Sequence, residues 1–295
     1  RDRSPSRGLG DVYKRQMEFT LNTKNLTGEF AWSSNFNISF NKNKVLEVGV
    51  DGRPIYGSAA NANNAFITKP GYPIASFYGY KYIGVFQSEE ELAKYPHLSG
   101  DKVGDGRYED VNKDGVLDQN DKTILGDNNP LFTAGFSNSF SYKNFTLDIQ
   151  FTGSYGAEVF SFYKRMCGIY HGDRNGMIEQ LGRWQSKDQP GDGIHFRPTR
   201  TPSGWQRDPS SAWVQDASYL RLRNLTLGYN FDQKVLDKMK MKGLRLYVTG
   251  QNLFTITNYV GYDPETSSES GLAQGGDYLG YPAARSFIIG ANITF

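Results

Sequence analysis

An all-β fold of long antiparallel strands is what this 295-residue sequence predicts. Three observations predict it. Apolar and polar residues alternate with period two over stretches well beyond the roughly 5–6 residues of an ordinary strand. Aromatic residues make up 14% of the chain and Gly 33 of its residues, both enriched over globular usage, in which Gly is roughly 7%. Short and long connections alternate along the chain.

The clearest strand is residues 29–41. Phe30, Trp32, Phe36, Ile38 and Phe40 share one parity, and Glu29, Ser33, Asn35, Asn37, Ser39 and Asn41 the other. This is a strand with one apolar and one polar face. Residues 131–142 repeat it, with Phe132, Ala134, Phe136, Phe140 and Tyr142 opposed to Thr133, Ser137, Ser139 and Ser141. After the Lys143-Asn144 turn, Phe145, Leu147, Ile149, Phe151 and Tyr155 oppose Thr146, Asp148, Gln150, Thr152 and Ser154, completing a hairpin. Similar alternation marks residues 17–23, 74–86, 219–231, 243–254 and 284–295, and more weakly 64–69, which stops at Pro70-Gly71-Tyr72-Pro73. Parity changes between Leu222 and Leu225, so a bulge is expected near Asn224. About nine antiparallel strands result.

Short connections are expected near residues 24–25, 70–73, 143–144 and 232–242. Long ones are expected at 42–63, 87–130, 156–218 and 255–283. Outer-membrane barrels show this asymmetry, with short periplasmic turns, long extracellular loops and aromatic girdles. A spanning strand needs only about 9–11 residues, and Trp32, Phe40, Tyr142, Tyr229 and Phe231 lie near strand ends. The Asn, Ser, Thr and Gln of the polar faces suit a wet lumen. A membrane-spanning helix is excluded, because mean hydropathy is −0.59 and apolar runs such as Phe287-Ile288-Ile289 are short. In the last strand Phe287, Ile289, Ala291, Ile293 and Phe295 share one parity and end on an aromatic residue, the form of an outer-membrane assembly signal. A soluble β-sandwich, its apolar faces paired sheet on sheet, is the rival reading of the same alternation.

Net charge is +2, but Arg1, Arg3, Arg7, Lys14 and Arg15 outweigh Asp2 and Asp11 within residues 1–16 alone. Those residues resemble a translated sequencing adapter, Asp11-Val12-Tyr13-Lys14-Arg15-Gln16 above all, so they are set apart as non-native. Residues 17–295 form the fold. Without the first sixteen residues the basic surplus vanishes, and nucleic acid is not an expected partner. Cys167 is the only cysteine and has no disulfide or metal-ligand spacing. His97, His171 and His195 fall in no metal motif. A catalytic centre is therefore not expected.

The sharpest local motif is Asp110-Val111-Asn112-Lys113-Asp114-Gly115-Val116-Leu117-Asp118-Gln119-Asn120-Asp121. It fits a Ca²⁺ loop, with oxygens from Asp110, Asn112 and Asp114, the Val116 carbonyl, Asp118 through water, and Asp121 closing in place of the usual Glu. The other reading is an Asp/Asn/Gly-rich turn held by side-chain–backbone hydrogen bonds. The flanks are not helical, so any metal is structural, rigidifying the 87–130 loop. Ser88 followed by Glu89-Glu90-Glu91 predicts a short capped helix at the start of that loop.

At Gly71-Tyr72-Pro73-Ile74-Ala75-Ser76-Phe77-Tyr78-Gly79-Tyr80, residues 108–121, 130–155, 216–231 (ending Leu225-Thr226-Leu227-Gly228-Tyr229-Asn230-Phe231), 247–263 (with Thr249-Gly250-Gln251-Asn252-Leu253-Phe254) and the terminal strand, the chain resembles the SusC/RagA-type TonB-dependent outer-membrane transporters. The resemblance implies the C-terminal strands of a barrel of about 22 strands, a plugged transporter. The plug and the segment that contacts TonB would lie outside this chain. It also implies import of oligosaccharides or peptides, a SusD-like surface lipoprotein as lid, and energy from a TonB–ExbB–ExbD complex. No substrate-binding residue is identified. Tyr170, Trp184, Trp205 and Trp213 in the 156–218 loop are expected to stack on sugars, to bury against the lipoprotein or to pack within their own loop. Asp148 is a lone carboxylate of the polar face, against a hydrolase. The alternative function is a secreted, calcium-stabilised carbohydrate-binding or adhesion β protein.

Overall fold

A computed structural model describes residues 10–49, 51–59, 62–168, 175–199, 208–265 and 270–295. Seven long strands form one antiparallel sheet in the order β1 (Asp11–Leu26), β2 (Phe30–Glu47), β9 (Phe132–Tyr142), β10 (Phe145–Tyr155), β13 (Tyr219–Asn230), β14 (Gly243–Thr257) and β16 (Ser286–Thr294). Each pairs with the next along the chain, an up-and-down wall with β1 and β16 at its open edges. None of the described helices is long and apolar enough to cross a membrane.

Register carries the alternation from strand to strand. Leu21 lies opposite Phe36, Phe36 opposite Phe136, Phe136 opposite Phe151, Phe151 opposite Leu222 and Leu222 opposite Phe254. The apolar parities thus merge into one face. Large side chains there stand open, among them Met17, Phe19, Phe136, Leu227, Val248, Phe287 and Ile289 (84% exposed). Apolar groups on this scale are left uncovered where lipid, not water, is the solvent. Rings gather at both ends of the face. Phe40, Phe132 and Tyr155 stand at the long-loop end, and Phe30, Trp32, Phe140, Tyr142, Phe145, Tyr229 and Phe231 at the short-turn end. Phe132 to Tyr142 spans ten residue steps, roughly 33 Å along the strand and about 25 Å along the membrane normal at the usual tilt, which matches the apolar band of an outer-membrane barrel.

The expected bulge is present. Pairing shifts between Leu222 and Asn224, and β14 shifts at the same level, where Asn252 adopts φ 51°. The extra residues keep Leu220, Leu222, Leu225 and Leu227 on one face despite their mixed parity. The 143–144 turn also holds, with Lys143 left-handed at φ 50°.

Two expected strands leave the wall. Residues 64–69 fall in β4 (Ala62–Thr68), which pairs with β3 (Ile55–Ala59) and, on its other side, β5 (Ser76–Gly79); β8 (Thr123–Gly126) completes that sheet. Residues 74–86 are not one strand. After β5, Tyr80 bridges to Ser210, and β6 (Tyr82–Val85) turns to pair with β7 (Gly106–Tyr108). The break falls where the Tyr80 N–H donates to the Pro209 carbonyl; Gly84, at φ 119°, lies at an irregularity in the β6–β7 pairing. So seven strands of the expected nine build the wall, with three short and three long connections. The first turn falls at Thr27-Gly28-Glu29, three residues later than expected. β1 includes residues 11–16, paired with residues 41–47 of β2.

Because the strands run antiparallel, all three long connections emerge at one end. The first carries β3 to β8 and α1 (Glu89–Lys94); Ser88 caps α1 as expected, its hydroxyl accepting from the Glu91 N–H. The second carries β11 (Glu158–Ser161), α2 (Phe162–Gly168) and β12 (Val214–Asp216), and the third β15 (Gly276–Asp277). β11 pairs with β12 and also with β15, joining the second and third connections.

Candidate functional site

The three connections fold into a single lobe with its own core. Phe66 and Phe77 of the first, Phe160, Phe196 and Trp213 of the second and Ala273 of the third share one buried cluster. Phe66, Phe77 and Phe160 meet edge to face at centroid distances of 5.5–6.3 Å. Trp213 is 2% exposed and interior to the lobe, and Trp184, partly buried, packs against the same cluster. Tyr170 and Trp205 lie outside the described residues.

An ionic clamp fastens the lobe to the polar face of the wall. Arg221 of β13 is 3% exposed; its guanidinium donates to Asp263 at 2.6 Å, Glu265 at 2.5 Å and the Thr255 hydroxyl at 2.8 Å. Arg223 adds a second bond to Glu265 at 2.6 Å. Burial alone would raise the Asp263 carboxyl. N–H groups of Ala283 and Glu265 and the Arg221 guanidinium outweigh it and hold the pKa below the ordinary value. A carboxyl depressed on folding stabilises above its unfolded pKa, and that contribution fades as pH falls through the lower folded one. The Asp263 arm of the clamp is therefore intact at neutral pH and weakens only in acid, below the ordinary carboxylate range. Arg221→Met removes the buried guanidinium and leaves the partly buried Asp263 carboxylate without its main partner, at an expected cost of about 1–3 kcal/mol; amide hydrogen exchange around Asp263 and Ala283 reports it. The clamp was legible only as two arginines of polar parity, with nothing to say which loop returns to them.

Asp148 sits on the polar face as expected, accepting from the Ser139 hydroxyl at 2.6 Å with Arg245 4.0 Å away. The 110–121 motif lies at the lobe surface and closes on its own backbone. Asp110 accepts from the N–H of Lys113 and Gly115, Asn112 from Asp114, and Asp114 from Val116. Asp118 caps the 3-10 turn Gln119–Asp121. Asp121, fully buried, accepts from Val111 and Asn112 with one oxygen and Asp118 with the other. Its carboxylate is thus turned toward the backbone rather than toward Asp110 and Asp114. Among the described residues, no three acidic, His or Cys side chains are grouped to hold a metal. Asp121→Ala leaves buried N–H groups without an acceptor and is expected to cost about 3 kcal/mol, seen as faster exchange of the Val111 and Asp118 amides. Phe287, Ile289, Ile293 and Phe295 project in line from β16 and its end, exposed, on the apolar face at the sheet edge.

A wall of long strands, open and apolar on one side, polar on the other and capped at one end by a folded lobe, defines an outer-membrane-type β-barrel segment. The particular kinship comes from known proteins. TonB-dependent receptor P3 of Formosa agariphila is 34% identical over 304 residues, covering 99% of this chain and 30% of that protein. TonB-dependent receptor SusC of Bacteroides thetaiotaomicron is 27% identical, covering 98% and 27%. The solved structure of the RagAB peptide transporter superposes with a TM-score of 0.76 at 19% identity, covering 97% of this chain and 29% of that one. No protein-family profile matches. The chain is thus homologous, over nearly all its length, to TonB-dependent receptors of the SusC type, and it spans about three-tenths of the curated relatives it matches.

Proposed function

We propose that this chain is part of an outer-membrane, TonB-dependent importer of oligosaccharides or peptides whose lobe receives a SusD-like surface lipoprotein. The supporting observation is the geometry of the wall: a predominantly apolar face of barrel height, its Ser34 hydrogen-bonded to Asn138, which also accepts from Trp32, with every long connection folded at one end. The strands contribute barrel wall with no chemistry of their own. Binding energy enters at the lobe, and the TonB–ExbB–ExbD complex acts through parts of the receptor outside this chain. The kinship to SusC and the fold shared with the RagAB transporter support the same assignment.

Protease added to intact cells tests it. Cleavage is expected within the lobe and at none of the short turns 27–29, 143–144 and 232–242. Cutting at both ends, or recovery of the protein in a detergent-free soluble fraction, contradicts it. Deleting the gene is expected to abolish growth on an oligosaccharide or peptide source that the parent strain uses.

Calcium at the 110–121 loop is a separate proposal. Asp110, Asn112, Asp114, the Val116 carbonyl and Asp118 would hold the ion, with Asp121 kept for the backbone. Ca²⁺ is expected to raise the protease resistance of this loop, and Asp114→Ala to abolish the gain. An equal digestion rate with Ca²⁺ and with chelator contradicts it.

A further inference from the structure

The apolar face of the wall is not level. Its outward residues fall in rows across neighbouring strands, and one row runs Ala134, Gly153, Leu220 and Ile256, each opposite the next. Below that row Phe136 lies opposite Phe151. Above it Phe132 and Tyr155 stack at 5.5 Å. Between these two pairs of rings Ala134 offers only a methyl group and Gly153 no side chain. A groove of about 720 Å³ opens there.

The chemistry of the groove changes with height. Leu220 and Ile256, 44% and 63% exposed, form one side of its apolar part. At the lobe end the lining turns polar, with Asp216, Ser218 and Asn258. Ser218 is two residue steps beyond Leu220, roughly 7 Å along the strand. That is the level of the upper girdle, where hydrocarbon gives way to head groups. Asp216 is exposed and is the one charged residue among those lining the groove. One of its oxygens accepts from the Ser218 N–H at 2.9 Å and hydroxyl at 2.5 Å. Polar at the girdle and apolar beneath is the order of groups in a lipid. A second barrel would meet this face convex against convex and leave a recess between strands unfilled, whereas a single flexible chain follows it.

We propose that this groove seats one acyl chain of a bilayer lipid whose head group carries an ammonium. The inference rests on the membrane-spanning reading of the wall. Bulk lipid is as apolar as the groove, so the hydrophobic effect gives the chain no preference. Dispersion contacts with the Ala134–Gly153 floor and the flanking rings supply it. Asp216 receives the ammonium in a charge-assisted hydrogen bond. A lipid held at both ends in this way exchanges more slowly than its neighbours along the same face.

Photolabelling of the complete receptor polypeptide in phosphatidylcholine vesicles tests this. Two probes share a diazirine-bearing acyl chain and differ in head group, one phosphatidylethanolamine and the other phosphatidylglycerol. Phe19 is the reference. It lies at the depth of Ala134, through Ile38, is 55% exposed and stands outside the groove. After irradiation and digestion, the ethanolamine probe is expected to label residues 132–136 and 151–155 about fivefold more than the Phe19 segment, as a handful of weak contacts allows. Ala134→Leu fills the recess and is expected to bring that ratio near unity. At low salt the glycerol probe is expected to label the groove severalfold less than the ethanolamine probe. Asp216→Asn, which keeps an acceptor for Ser218, is expected to erase that difference. Equal labelling of groove and Phe19 by the ethanolamine probe, an excess that survives Ala134→Leu, or no head-group preference overturns the proposal. Phe19 labelled beside an unlabelled groove also overturns it, and shows that protein covers the groove. In each of these results the labelled Phe19 leaves the membrane assignment standing; label at neither position overturns both.

Discussion

Phe136→Arg is expected to destabilise the barrel wall by about 2–4 kcal/mol when the receptor folds into lipid vesicles, whereas Phe132→Arg is expected to cost about 0–1 kcal/mol. Both residues lie on β9 and on the apolar face. Phe136 stands near the middle of the strand, opposite Phe36 and Phe151, and Phe132 stands in the upper girdle against Phe40 and Tyr155. A guanidinium at mid-depth must be drawn out of hydrocarbon, while one at the girdle reaches head groups directly. Urea titration of refolding into vesicles measures both. Equal costs at the two positions would mean that the face meets another protein surface rather than a bilayer.

Phe160→Ala is expected to cost about 3–5 kcal/mol, confined to the lobe. Its ring is 2% exposed and touches Phe66 and Phe77 of a different connection. Losing it leaves a cavity where two loops meet. The seven-stranded wall does not share this core, so vesicle insertion is expected to persist while protease cuts the lobe faster. Cooperative loss of the wall together with the lobe would show that the two form one folding unit.

The wall was legible because period two is a local property. Each strand writes its own faces into adjacent residues, and the mixed parity around Asn224 revealed even the bulge. The lobe was not legible, for a physical reason. β4 has Ala65, Phe66, Ile67 and Thr68 buried in succession, since both its faces meet protein, so the alternation vanishes. Its partners come from far along the chain, as Phe66 meeting Phe160 and Ala273 shows. The same distance hid the Arg221 clamp. In the 110–121 motif, residue types and spacing were readable, but whether the oxygens face an ion or the backbone depends on side-chain rotation. The aromatic residues of the 156–218 loop were candidates for stacking; Trp213 packs in the lobe interior and Trp184 against the same cluster, where aromatic rings build core.

The central claim is that one face of the wall meets lipid and the other a polar lumen. Spin labels at Leu227→Cys and Val248→Cys, against Thr226→Cys and Thr249→Cys, in a Cys167→Ser background test it most directly. Leu227 pairs with Val248 and Thr226 with Thr249 in neighbouring register, so depth is matched and only the face differs. The account predicts that the first pair collides with oxygen dissolved in the bilayer and the second with a water-soluble nickel complex. Four labels equally accessible to the nickel complex would contradict it.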